Sequence, residues 1–246
     1  MHFFYIHPII FMPDTPGGPT PALPPAEPLT GFDRVAWCYD ALSALVFGPA
    51  LKRAQRTALH GLPPGAPHVL ILGGGTGWVL TAVLRRRPQA TVLYLEASPK
   101  MLARARARLA REHPKATARI EFRHGTQAAL GQAERFDALI TFFVLDCIAS
   151  PDLPGALAQL RAAQRPEAPW LLADFRPARH GWRKALLTLM YVFFRLSTGL
   201  RARKLPDLGT ALAGLGLRPV QQTRFYADAV EAVIFSETRT THRSTV

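Results

Sequence analysis

The chain has 246 residues, 48% hydrophobic and 19% charged, the balance of a globular protein with room for one domain of about 200 residues plus appendages. Thirty Lys and Arg against seventeen Asp and Glu give a formal charge of +13, but 25 of those cations are arginines spread along helices in an Ala-, Leu- and Pro-rich chain. GC-rich coding yields that composition, so a nucleic-acid partner is not expected from charge alone. Cys38 and Cys147 lie far apart with no Cys or His at zinc-ligand spacing, so neither a disulfide framework nor a metal site is indicated and a reducing, cytoplasmic setting is the default.

The opening MHFFYIHPIIFM is apolar but has no basic flank or cleavage site, and it is too short to span a bilayer. Met12 offers an alternative start. Residues 1–30 carry prolines too densely for helix or central strand and are expected to be a disordered leader, with 31–236 forming the folded domain and 237–246 a flexible tail. FDRVAWCYDALSALVF and PALKRAQRTALHGL read as two amphipathic helices joined at Gly48-Pro49.

A strand is predicted over Val69–Leu72, then a glycine turn, then a helix over Thr76–Arg87 that stops at Pro88. ATVLYLE follows as a strand ending on Glu96, and Ser98 caps a helix with Pro99 at its first position. ARIEFRH, FDALITFFVLD and WLLADF are further strands, with DLPGALAQLRAAQ as the helix between the last two. Alternation of this kind predicts a parallel sheet covered by helices on both faces. A long apolar helix over Trp182–Leu196, a short one at LGTALAGL, and the strands LRPVQQTRFYA and AVEAVIFSE complete the chain.

The turn LILGGGTGW excludes one phosphate-binding mode and strains another. A P-loop needs GxxxxGK[ST], and no lysine stands near. A dinucleotide turn prefers GxGxxG, whose third glycine is here Trp78. The spacing that fits is GxGxG, with Gly73, Gly75 and Gly77.

This spacing resembles motif I of the class I S-adenosylmethionine-dependent methyltransferases. Glu96 is similar to the acidic residue that in the family ends strand two and binds both ribose hydroxyls, and ASPKML matches the family's xSxxML. FDRVAWCYDAL resembles the N-terminal FDxxAxxYDxx segment of the ubiquinone/menaquinone biosynthesis group and its small-molecule relatives, and the likeness runs from about Phe32 to Phe235. The resemblance implies an α/β Rossmann-like fold, a seven-stranded sheet in the order 3-2-1-4-5-7-6 with strand 7 antiparallel. It also implies S-adenosyl-L-methionine as cofactor, held by Tyr39, Gly73, Gly74, Gly75, Gly77, Glu96, Ala97, Met101, Thr126, Gln127 and Phe143. Two departures stand out: Gly125-Thr126-Gln127 replaces the family's GDA, leaving Thr126 or Gln127 as neutral contacts for adenine, and Ile71 replaces a frequent strand-one aspartate.

Reacting groups belong at the carboxyl ends of strands four and five. Asp146 is the leading candidate for the base or acceptor contact, with capping of the next helix as its alternative, and Asp174 is a second possibility. Cys147 reads as a small buried apolar residue, and His124 as solvent-facing or satisfied in the core. FVLDC lacks the [DNS]PP[YFW] of amino-methylating DNA enzymes, which also counts against a nucleic-acid substrate. The expected partner is a small, apolar or lipophilic acceptor, with Trp182–Leu196 as its lid or as plain core and Arg183, Arg195, Arg201 and Arg203 available to a membrane face. A non-catalytic cofactor-binding protein and a nicotinamide-dependent oxidoreductase are the alternatives.

Overall fold

A computed structural model describes residues 49–176 and 206–237. The N-terminal FDRVAWCYDAL segment, Trp182–Leu196 and the arginines beside it lie outside the described residues. The first described helix, α1 (Ala50–Ala58), buries Leu51, Ala54 and Ala58, a one-sided spacing that lays it on the sheet. Then come β1 (His68–Leu72), α2 (Trp78–Arg86), β2 (Thr91–Glu96), α3 (Pro99–Glu112), β3 (Ile120–His124) and β4 (Ala138–Phe142). The chain continues through α4 (Leu153–Ala162), β5 (Trp170–Phe175), α5 (Leu208–Ala213), β6 (Leu217–Phe225) and β7 (Val230–Glu237).

The seven strands form one sheet in the order β3-β2-β1-β4-β5-β7-β6, parallel except where β7 runs antiparallel to β5 and β6. The expected topology is the observed one. The inner strands β1, β2, β4 and β5 are almost continuously buried, as strands covered on both faces must be, whereas the edge strand β6 leaves most of its side chains exposed. One face packs against α1, α2 and α3 around Leu80, Val83, Tyr94 and Leu109. The other face packs against α4 and α5 around Leu139, Trp170 and Phe235. Within it the Trp170 indole N–H donates to Thr141 Oγ1 at 2.8 Å, so the largest core side chain leaves no polar atom unpaired.

Two boundaries differ from the sequence reading for one reason, a left-handed residue. Gly77 (φ +89) precedes the first turn of α2, so the helix starts at Trp78 and not at Thr76. Phe143 (φ +54) ends β4 three residues before Asp146, and Leu145–Cys147 forms a short 3-10 turn instead of continuing the strand. Ser98 caps α3 as expected, its Oγ accepting from the Met101 N–H at 3.2 Å with Pro99 in the first turn.

Candidate active site

Parallel order with a reversal between β1 and β4 opens a crevice beyond the carboxyl ends of the strands. The glycine turn leaving β1 enters it, and each of its glycines answers to a different neighbour. A Cβ on Gly73 would overlap the side chain of Val144, one on Gly74 would stand 2.5 Å from the Tyr94 ring, and one on Gly77 would reach the Ala105 backbone of α3 at 2.8 Å. Gly75, left-handed at φ +61, is the exception: its front is open, with only Met101 Sδ near, at 3.9 Å. Three of the glycines are therefore required by the protein's own packing, and the fourth presents bare backbone to the crevice.

Glu96 closes the turn from β2. Its Oε2 accepts from the Gly75 N–H and its Oε1 from the Ser98 N–H, both at 2.9 Å. The carboxylate is buried, and burial raises its pKa against the lowering effect of those backbone donors and of His124. A carboxylate has about four lone-pair directions, so acceptor capacity remains beside the backbone hydrogen bonds from Gly75, Ser98 and Ala97. His124, beside Glu96 in the β2–β3 register, is exposed, one of the two settings the sequence suggested, and places Nε2 2.9 Å from the Ala97 carbonyl.

The segment after β3 is braced from beneath. Arg123 grips Glu134 through Nη1 and Nη2 at 2.9 and 2.7 Å and also donates from Nη1 to the Ala129 carbonyl at 2.9 Å. The pairing holds the Glu134 carboxyl below the usual range, with the Arg123 hydrogen bond as the largest cause. Thr126 Oγ1 accepts from the Ala128 N–H at 3.4 Å as the cap of a short turn, which leaves its hydroxyl proton available. Gln127, half-buried, makes no side-chain hydrogen bond among the described residues.

At the ends of β4 and β5 two carboxyls meet. Asp174 is fully buried, accepts at Oδ1 from the Phe175 N–H at 2.8 Å and takes a further backbone hydrogen bond from Asp146, while its Oδ2 has no partner among the described residues. Burial, then the charge of Asp146, pushes Asp174 well above the carboxylate range. Asp146 is buried in the short turn, and the Cys147 thiol points at its Oδ1 from 3.5 Å. Burial and these two carboxyls push the thiol up, and Cys147 is half-buried where the sequence suggested a buried residue. Phe143 stacks obliquely on Phe175 with centroids 5.1 Å apart, held in a left-handed conformation that costs a bulky residue about 1–2 kcal/mol.

Residues 70–169 match the family model described as a methyltransferase domain. Residues 70–169 are thus similar to a methyltransferase domain, on a sheet whose strand order is the one the sequence resemblance implied. It is 31% identical over 147 residues to the ubiquinone/menaquinone biosynthesis C-methyltransferase UbiE of Paracoccus denitrificans, covering 58% of this chain and 57% of that protein. The chain thus spans a little over half the length of the curated relative it matches. Among solved structures, the mitomycin 7-O-methyltransferase MmcR superposes with a TM-score of 0.60 at 21% identity, over 77% of this chain and 54% of that one. The N-methyltransferase NodS of Bradyrhizobium japonicum, solved with S-adenosyl-L-homocysteine, gives 0.57 at 15% identity over 76% and 88%.

Around the crevice the sequence-chosen residues Gly73, Gly74, Gly75, Gly77, Glu96, Ala97 and Met101 gather at one turn, and Thr126 and Gln127 follow the neighbouring strand. Phe143 and Asp146 stand across the crevice on the β4 side, and Tyr39 lies outside the described residues. Val144 fills the space left by Gly73, and one residue that sequence reasoning missed completes the turn: Tyr94, whose hydroxyl donates to the Gly75 carbonyl at 2.9 Å. A separate cavity of about 400 Å³ lies by Pro67 and Pro169, at the amino ends of β1 and β5, and it offers prolines and an Arg165–Asp137 ion pair instead of groups suited to catalysis.

Proposed function

We propose that the protein transfers a methyl group from S-adenosyl-L-methionine to a small, apolar or lipophilic acceptor. The observation that carries the reading is the pairing of Gly75, open to the crevice, with Glu96, a buried carboxylate that keeps acceptor sites for a ribose diol. The bound donor supplies a methyl group already activated by its sulfonium charge, so the chain's work is alignment, water exclusion and, for a protic acceptor, proton removal.

Each side chain then has a task. Glu96 accepts from both ribose hydroxyls, charge-assisted bonds that are stronger than neutral ones. Gly75, Ala97 and Met101 line the methionine and ribose side, Thr126 or Gln127 supplies a neutral acceptor to the adenine amine, and Phe143 and Tyr39 pack against the ligand. Asp146 takes the acceptor's proton as the methyl group is transferred. The apolar stretch 182–196, a helix by its sequence pattern, is our candidate lid over the acceptor, with the arginines at 183, 195, 201 and 203 as candidates to meet an anionic membrane surface. No described helix is long and apolar enough to cross a membrane.

Calorimetry with S-adenosylmethionine, S-adenosylhomocysteine and NAD(H) tests the donor assignment. Binding of the first two and not of the third is expected. Binding of NAD(H) alone would return the turn to the dinucleotide class despite Trp78. Comparison of lipid and metabolite extracts incubated with active protein and labelled donor identifies the acceptor.

A further inference from the structure

We infer that Tyr94 is a positioning residue for the donor site, acting through the Gly75 peptide; the inference rests on reading the glycine turn as the methionine side of that site. Tyr94 and Glu96 are two apart on β2 and so share a face of the strand. From there they hold opposite ends of one residue: Glu96 Oε2 takes the Gly75 N–H at 2.9 Å, and the Tyr94 hydroxyl donates to the Gly75 carbonyl at 2.9 Å. Gly75 is the glycine whose front is open, so the clamped peptide is the one a ligand would meet.

Packing alone does not call for a tyrosine here. Tyr94 is fully buried among apolar side chains, its ring lies 5.3 Å from that of Phe122, and the missing Cβ of Gly74 leaves its space. Phenylalanine would fill the same volume. What the hydroxyl adds is a fixed orientation for a left-handed peptide that otherwise has one tether, and a peptide fixed before binding spares the ligand the cost of ordering it. Loss of that bond should be felt where the Gly75 backbone packs, on the methionine portion, and much less at the nucleoside, which Glu96 holds with its Ser98 tether intact.

The test compares the wild type, Tyr94→Phe and Phe122→Leu for binding of S-adenosylhomocysteine and of adenosine, with thermal melting of each. Tyr94→Phe should lower S-adenosylhomocysteine affinity about tenfold, the loss of one hydrogen bond, and change adenosine affinity less than about twofold. Phe122→Leu, which disturbs the same core while keeping the hydroxyl, should leave both within about twofold. Equal weakening of both ligands in Tyr94→Phe, or equal losses in the two variants, would mark Tyr94 as a core residue and overturn the inference. So would unchanged binding in Tyr94→Phe while the wild type binds. A wild type that binds neither ligand removes the donor reading itself, a distinguishable failure.

Discussion

The backbone N–H of Asp146 donates to the carboxyl of Asp174, tying the turn after β4 to the last residues of β5. This buried carboxyl holds its proton more tightly folded than unfolded, because burial and then the Asp146 charge raise its pKa. Stability from that proton is complete below the unfolded value of about 4 and is lost as pH climbs toward the folded value. Asp174→Asn has no proton to lose. Melting curves across about pH 4 to 8 should show the wild type declining relative to the variant; parallel profiles would mean that Asp174 is ionised in the fold.

Asp146→Asn keeps size and polarity while removing the proposed base. Donor affinity should stay within about twofold and kcat should fall by roughly 10² or more for an acceptor that must lose a proton. A variant as fast as the wild type would reassign Asp146 to holding the turn.

Glu96→Ala should weaken S-adenosylhomocysteine binding at least about 100-fold, since two charge-assisted bonds of roughly 1.5–3 kcal/mol each are lost. Burial also holds Glu96 above the usual carboxylate range. Wild-type affinity should therefore begin to fall on the acid side at a higher pH than an ordinary carboxylate would give, as the diol acceptor becomes protonated. Unchanged affinity in calorimetry of Glu96→Ala places the ribose elsewhere.

Glycines of like conformation separate strain from collision. Gly65 (φ +78) has open space around its missing Cβ, whereas a Cβ on Gly77 (φ +89) reaches the Ala105 backbone at 2.8 Å. Gly65→Ala should cost about 1–2 kcal/mol by conformation alone, and Gly77→Ala a further 1–3 kcal/mol or so by prising α2 from α3. Denaturant melts giving equal losses would show that α3 yields freely.

The β6–β7 hairpin contains three successive left-handed residues, Tyr226, Ala227 and Asp228, none of them glycine, closed by Ala229 N–H to the Tyr226 carbonyl at 3.1 Å. Ala227→Gly relieves that conformation and should stabilise by about 0.5–1 kcal/mol, read as a higher denaturation midpoint. A lower midpoint would show that the unfolded chain's added freedom outweighs the relief.

Local chemistry made much of this legible in the sequence. Ser98-Pro99 announces a helix start, the runs at β1, β2, β4 and β5 are long enough in apolar residues to mark buried strands, and the glycine spacing with Glu96 locates the crevice. What the sequence hides are contacts between segments. Tyr94 reads as one more aromatic in a strand until its hydroxyl meets Gly75, and Asp174 reads as an ordinary strand end until its complete burial is seen. The end of β4 was missed because Phe143 takes a conformation that bulky residues avoid, which no propensity foretells.

The contact between Gly73 and Val144 ties together two loops with separate proposed duties, since one leaves β1 on the proposed donor side and the other leaves β4 on the proposed acceptor side. A descendant enzyme with a new acceptor would be expected to arise by changing the second loop. Residue 144, however, is shaped to the hollow that Gly73 leaves, so grafting a foreign strand-four loop carries a hidden condition: its counterpart of Val144 must still fit that hollow, or the donor turn shifts with it.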